Sequence, residues 1–439
     1  MLLGGSLVFY LSAGLEYLPF LLFAAVSTYL AARFMAVKRE KSEKRPALMG
    51  CLALDFGLLA VCKGVGYLPM GISFYLFQST GYVIDVYRGT AQAERSFWKH
   101  ALFVSYFPQL VQGPISRHSQ LTPQFFCVHE YNRKQVSFGI QRMLWGGFKK
   151  LVIADRIAPA VAALKECTGP GFFLLTLFYA VQIYADFTGG IDMALGLSQA
   201  FGITLPENFS HPFSSKNTAQ YWRRWHITLG EWMKDYIFYP VSVSAPMRRL
   251  SKAARKRWPG FGKRLPVYTA SFATWFVTGI WHGAAPNFVV WGLLNCLVIV
   301  ISEELSPLYK AFHSRFHLKE EKWYGGFEIL RMFLLMNLIR ACDLFPNVGD
   351  YFRRLGSLFT PWRWQFSLPG LGLTGPDWGI LALGAALMIC LGQLRDIREK
   401  LWQRPALRYC LLFTLFLAVL LLGKYGVGYD AAAFIYNQF

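Results

Sequence analysis

Two histidines stand where an imidazole is costly to keep. His282 lies in Gly279-Ile280-Trp281-His282-Gly283-Ala284-Ala285-Pro286-Asn287, within a broken apolar run from Leu265 to Ser302. Ionisable groups at membrane depth usually face a cavity and act there. Gly283 and Pro286 predict a helix break just beyond this one, and such a break is admissible only where protein or water satisfies the backbone, so it predicts a pocket. His226 follows Tyr221-Trp222-Arg223-Arg224-Trp225. A neutral imidazole can take the proton of a hydroxyl, which is a poor nucleophile until a base removes it, and burial keeps an imidazole neutral. Trp281 and Asn287 beside His282, and Trp225 and Arg223 beside His226, are candidates for shaping such a site. For an isolated histidine on an aromatic face, hydrogen-bonded packing is the plainer alternative.

The elements that must position these residues are apolar. Of 439 residues, 54% are hydrophobic and 16% charged, too few charges for a soluble chain, in which about 25% is ordinary. The apolar mass comes in blocks, among them Tyr17 to Val37, Leu48 to Cys62, Leu68 to Tyr87, Met143 to Ala163, Gly171 to Ala200, Trp378 to Leu394 and Tyr409 to Gly423. Their lengths predict an all-α polytopic membrane protein. Gln220 to Pro240 differs in kind. On one helix, Trp222, Trp225, His226, Leu229, Met233 and Tyr236 share a face opposite Arg224, Thr228, Glu231 and Asp235, which predicts an amphipathic helix at the membrane surface or over the bundle. In Phe327 to Leu344, Arg340 and Asp343 fall near a helix end and are expected at the interface.

A net charge of +20 suggests nucleic acid until its distribution is considered. The bases cluster in short loops between apolar blocks, the positive-inside pattern, which needs no nucleic acid. Residues 246–264 hold Arg248, Arg249, Lys252, Arg255, Lys256, Arg257, Lys263 and Arg264 without an acid. They read as a cytoplasmic topology loop, or as an electrostatic dock for an acidic carrier or donor phosphates. Asp186 and Asp192 sit among small residues, where close helix approach demands partners for both carboxylates; structural pairing is preferred to direct chemistry, and Asp186 is also a candidate for binding substrate or shaping the pocket. The eight cysteines form no C-x-x-C pair, His313 and His317 lack an HExxH context, and no metal site is expected.

Several motifs in order resemble the membrane-bound O-acyltransferase family, over nearly the whole chain. They are Gly71-Ile72-Ser73-Phe74-Tyr75, Gln112-Gly113-Pro114-Ile115, Asp186 to Asp192, Asn208 to Phe213 with Tyr221 to Ile227, Gly279 to Ala284, and Phe434 to Phe439. The resemblance is to the bacterial branch that holds alginate O-acetyltransferase and the D-alanyl transfer protein of teichoic acid synthesis. It implies a ring of about ten transmembrane helices around a central funnel, with interfacial and re-entrant helices, in one domain over 1–439 that starts near the family's second hydrophobic helix. It implies that His282 and His226 are the family's two histidines. It further implies transfer of an acyl group, foremost acetyl, from a thioester donor (acetyl-CoA or an acyl carrier protein) to a hydroxyl of a cell-envelope polysaccharide or relay protein, with no bound cofactor.

The expected setting is the inner or plasma membrane of a bacterium, in contact with its lipids, a cytoplasmic donor, and an extracellular SGNH-type partner or small membrane subunit. D-Alanyl transfer to teichoic acid is the alternative within this chemistry. A polysaccharide or lipid transporter would explain the membrane mass, yet not the two histidine motifs together, and the chain shows no inverted repeat.

Overall fold

The computed structural model describes residues 1–318, 321–361, 365–393 and 397–425; the Phe434 to Phe439 motif lies outside them. Among the described residues every extended element is a helix, and the one β-bridge joins Phe209 to Trp225. Among the described residues five helical segments are long and apolar enough to cross a membrane: Leu15–Val37, Lys41–Gly64, Pro170–Ala200, Pro286–Glu304 and Pro405–Leu422. The shortest has 18 residues, or about 27 Å at 1.5 Å per residue, close to a hydrocarbon core. The protein is thus an all-α membrane protein, with five such segments set against the expected ten or so.

The described residues fall into two compact units interleaved along the chain. The first draws on the described residues of Met1–Val152, Ala185–Glu207 and Leu394–Phe439. In it the Arg133–Gly147 helix meets the second half of Pro170–Ala200 through paired glycines. A Cβ on Gly139 would lie 2.5 Å from the Gly196 carbonyl oxygen, and one on Gly146 would lie 2.5 Å from that of Gly189, so the backbones touch where a side chain would separate them.

The same approach brings charges together. Lys150 pairs with Asp186 at 2.6 Å, while Asp192 receives Lys149 at 2.6 Å and Arg142 at 2.8 Å. Arg142 also forks onto Glu207, with both bonds at 2.6 Å. Lys149 and Lys150 belong to a π-helical stretch, Phe148–Ala154, inside the block expected to span from Met143 to Ala163. That block is helical but is not one of the five apolar segments.

The second unit draws on Ile153–Tyr184 and Asn208–Gln393 and holds both histidines. The single amphipathic helix expected from Gln220 to Pro240 is not formed. Instead Thr218–Trp222 and Ile227–Met233 are separate helices, followed by a π-helical turn, Lys234–Phe238, and a last short helix, Tyr239–Ser242. The break comes from His226, whose φ of +47° no α-helix accepts. The basic 246–264 segment is likewise no loop. It folds as the Ala245–Arg257 helix, capped by the Ser244 hydroxyl, which accepts from the Met247 N–H, and as the start of Pro259–His282. The Ser251 hydroxyl donates to the Gly262 carbonyl at 2.6 Å and ties the two helices together.

Candidate active site

His282 is the last residue of the Pro259–His282 helix. Gly283 and Ala285 are extended and Pro286 opens the Pro286–Glu304 helix, so the chain breaks where glycine and proline predicted. The two helices return against each other with no room for side chains at the crossing. A Cβ on Gly279 would stand 2.6 Å from the Phe288 carbonyl oxygen, one on Gly292 would strike the Trp275 carbonyl, and one on Gly283 would strike the Phe288 ring. This buries His282 edge-on to two indoles, with centroids 4.6 Å from Trp291 and 5.0 Å from Trp281.

His226 reaches the same indole by another route. The Phe209–Trp225 bridge, the Ser210 N–H on the Arg224 carbonyl (3.0 Å) and the Ile227 N–H on the Asn208 carbonyl (3.0 Å) close residues 208 to 227 into a loop. Within it the His226 backbone is held in the left-handed region, a conformation that costs a non-glycine residue roughly 1–3 kcal/mol and persists only where its surroundings impose it. The ring is buried and lies across Trp281 at 5.9 Å, in an edge-to-face arrangement. Trp281 is therefore common to both imidazoles. Asn208 sits beneath His226: its amide oxygen is 3.1 Å from the Thr228 N–H, 3.0 Å from the Thr228 hydroxyl and 3.2 Å from His226 Nδ1.

A cation completes the cluster. The Arg340 guanidinium lies between two indoles, 4.9 Å from the Trp225 centroid and 4.8 Å from that of Trp291, and pairs with Asp343 at 3.3 Å. Both charged side chains are almost fully enclosed, at 4% and 3% exposure, which corrects the interfacial placement expected from the sequence. A helix end suggests interface only while its neighbours are unknown; here Trp225 and Trp291 cover it. Asn287 anchors this turn to the break after His282. Its amide donates to the Cys342 and Asp343 carbonyls at 3.2 Å each, and the Cys342 thiol donates back to the Asn287 carbonyl at 3.4 Å.

Burial first, and then the charge of Arg340, push the His226 imidazole down to about 3. It is thus neutral at physiological pH and able to accept a proton or a hydrogen bond. Burial lifts the Asp343 carboxyl to about 6, against the opposing pull of Arg340.

Of the residues singled out by sequence, the structure gathers His282, His226, Trp281, Trp225 and Asn287 in the second unit. Asp186 belongs to the first unit, paired with Lys150. Arg223 is exposed at the end of the Thr218–Trp222 helix. Arg248, Arg249, Lys252, Arg255, Lys256 and Arg257 are exposed on their own helix, against the far end of the helix that His282 terminates. Gly262 precedes His282 by twenty residues, about 30 Å along that helix, so these cations can take part only in docking. Sequence reading gave no site role to Arg340, Asp343, Asn208 or Trp291. Arg340 and Asp343 were visible as charges within an apolar block, and Asn208 as the first residue of the Asn208 to Phe213 motif; nothing local marked Trp291. Among the described residues no three His, Cys, Asp or Glu side chains converge as a metal-binding group.

The family model described as MBOAT, membrane-bound O-acyltransferase family, matches residues 94–254 and 259–344, more than half of the chain and all of this cluster. The chain is 32% identical over 343 residues to a probable alginate O-acetylase of Pseudomonas syringae pv. tomato, covering 76% of this chain and 60% of that protein. It is 30% identical over 357 residues to a peptidoglycan O-acetyltransferase of Helicobacter pylori, covering 70% and 65%. To a teichoic acid D-alanyltransferase of Bacillus subtilis it is 28% identical over 240 residues, covering 52% and 58%. The chain thus spans about three-fifths of the length of these relatives. Both histidines, the helix break between Gly283 and Pro286 and the Arg340 turn all fall inside the matched segments, and the chain belongs to the membrane-bound O-acyltransferase family, a family of membrane acyltransferases.

Proposed function

We propose that this acyltransferase moves an acetyl group from a thioester donor, acetyl-CoA or an acyl carrier protein, to a hydroxyl of a cell-envelope polysaccharide or relay protein. The observation that carries the reading is the meeting of two buried imidazoles on one indole, Trp281, at the end of a broken helix. His282 acts as the general base. The acceptor oxygen attacks the thioester carbonyl carbon as its proton passes to the imidazole; the C–O bond forms, the C–S bond breaks, and the proton goes on to the departing sulfur. Acceptor, acetyl and thiol balance without a redox partner. Burial among Trp225, Trp281 and Trp291 keeps water from the thioester, and His226 holds a positioning role.

The setting proposed is a bacterial plasma membrane crossed several times by a ring of helices about a funnel. The donor is cytoplasmic, and an SGNH-type extracellular protein or small membrane subunit completes delivery. The two O-acetyl-transferring relatives favour acetyl over D-alanyl. The exposed basic helix is the proposed dock for the donor.

The test compares envelope polymers from cells carrying the intact chain, His282→Ala or His226→Ala, by mass spectrometry for ester-linked acetyl and D-alanine. Loss of acetyl ester in His282→Ala is expected. A well-folded His282→Ala protein with every ester unchanged would overturn the reading, and loss of D-alanine alone would replace acetyl with the aminoacyl group.

A further inference from the structure

The hydrogen bonds around Asn208 contain a deduction about the proton on His226. The backbone N–H of Thr228 can only donate, so the Asn208 side-chain atom 3.1 Å from it is the amide oxygen, whichever way an amide would otherwise be turned. The same oxygen stands 3.2 Å from His226 Nδ1. An amide oxygen only accepts, so Nδ1 bears the hydrogen, and in a neutral imidazole Nε2 then carries the lone pair. The backbone enforces the contact. The left-handed φ of His226 and the Ile227 N–H on the Asn208 carbonyl hold the two residues face to face, and both side chains are buried. Asn208 also accepts from the Thr228 hydroxyl, so it cannot turn away without breaking the start of the Ile227–Met233 helix. On the other side of the cluster the Arg340 charge, fixed between Trp225 and Trp291, opposes a second proton on the ring.

We infer that Asn208 is a positioning residue: its amide oxygen locks His226 as the Nδ1–H tautomer, so that Nε2 meets the substrate as an acceptor for a hydroxyl and not as a donor to the thioester oxyanion. This rests on the acyl-transfer reading proposed above and assigns His226 to the acceptor side of it. A neutral amide, where an aspartate would also accept the same bonds, keeps the ring uncharged; a carboxylate would draw a second proton onto it.

The experiment is 15N NMR of the full-length protein in detergent, with histidine labelled on both ring nitrogens and His226 assigned by its loss in His226→Gln. The expected result is a pyrrole-type Nδ1 and a pyridine-type Nε2, with no protonation down to pH 5. Asn208→Asp should raise the His226 titration midpoint by about one to three pH units. Asn208→Leu should scramble the tautomer and slow the appearance of envelope ester about 100-fold. A pyridine-type Nδ1 in the wild type would overturn the inference, as would an Asn208→Asp protein whose His226 signals titrate like the wild type. Asn208→Asp keeps every hydrogen bond of the loop, so the test stands even where Asn208→Leu fails to fold. Because tautomer is read without turnover, an Nδ1–H ring together with unchanged ester in His226→Gln would refute the role of His226 in transfer while leaving its tautomer assigned.

Discussion

Removing the Arg340 guanidinium is the sharpest test of how the second unit is held together. Arg340→Met keeps most of the apolar stem, and what it removes is a cation that lies between two indoles, pairs with Asp343 and hydrogen-bonds to the Tyr221 side chain. Each indole contact is worth about 0.5–2 kcal/mol, and deleting one partner of a buried ion pair costs about 3–5 kcal/mol because the other charge is left uncompensated. The second figure sets the scale at neutral pH, and it has a ceiling, since Asp343 can escape by taking a proton. Its carboxyl already stands at about 6 with Arg340 in place, and without Arg340 burial lifts it further.

The sign follows from linkage. A native carboxyl raised above its unfolded value holds a proton that the unfolded chain has lost, so stability falls as pH rises from about 4 through the raised native value. The variant's carboxyl is raised more than the wild type's. The gap between them should therefore be small at pH 5 and widen toward pH 8, by about 1.4 kcal/mol for each pH unit over which only the variant keeps its proton. Apparent unfolding midpoints from tryptophan fluorescence in detergent, taken at pH 5, 6, 7 and 8, measure this. Arg340→Met with Asp343→Asn should recover most of the pH 8 loss. A gap that does not change with pH, or a double variant no better than the single one, would refute the placement of an ionised, buried pair at this turn.

Three further outcomes follow from the packing. Gly292→Ala sets a methyl against the Trp275 carbonyl, so it should separate the two helices that meet around His282, destabilise by about 1–3 kcal/mol, and reduce ester formation without touching either histidine; equal ester content and equal midpoint would contradict the close crossing. In the first unit Asp192→Ala strands Lys149 and part of Arg142, and should cost about 3–5 kcal/mol by unfolding midpoint, whereas Lys149→Met with Asp192→Leu should cost less than either change alone. Reversing Arg248, Arg249, Arg255 and Lys256 to glutamate should leave the midpoint within about 0.5 kcal/mol of wild type per site, because all four are exposed, while weakening capture of acyl carrier protein in a pull-down; unchanged capture would reduce this helix to a topology signal.

The amino-acid sequence by itself determined the class of the protein, the break after His282 and the need for partners at Asp186 and Asp192. Each is a local matter: apolar blocks have a length, glycine and proline end a helix wherever it packs, and a carboxylate among small apolar residues must be paired. The motif order singled out both histidines as candidates for the same kind of reason, since short runs such as Tyr221 to Ile227 are read without knowing what they touch. Only the tertiary structure decided the rest. Periodicity placed His226 on an unbroken amphipathic helix, whereas its φ of +47° is imposed by Asn208 eighteen residues earlier and by the bridge from Phe209 to Trp225, contacts that no helical pattern encodes. The basic run looked like a loop because its charges suit cytoplasm, yet a Ser244 cap and Ser251 on the Gly262 carbonyl fold it as a helix with those charges outward. Arg340 looked interfacial from its position near a helix end. Trp225, 115 residues before it, and Trp291, 49 residues before it, close over its two faces, and the burial of a charge depends on neighbours that only folding brings.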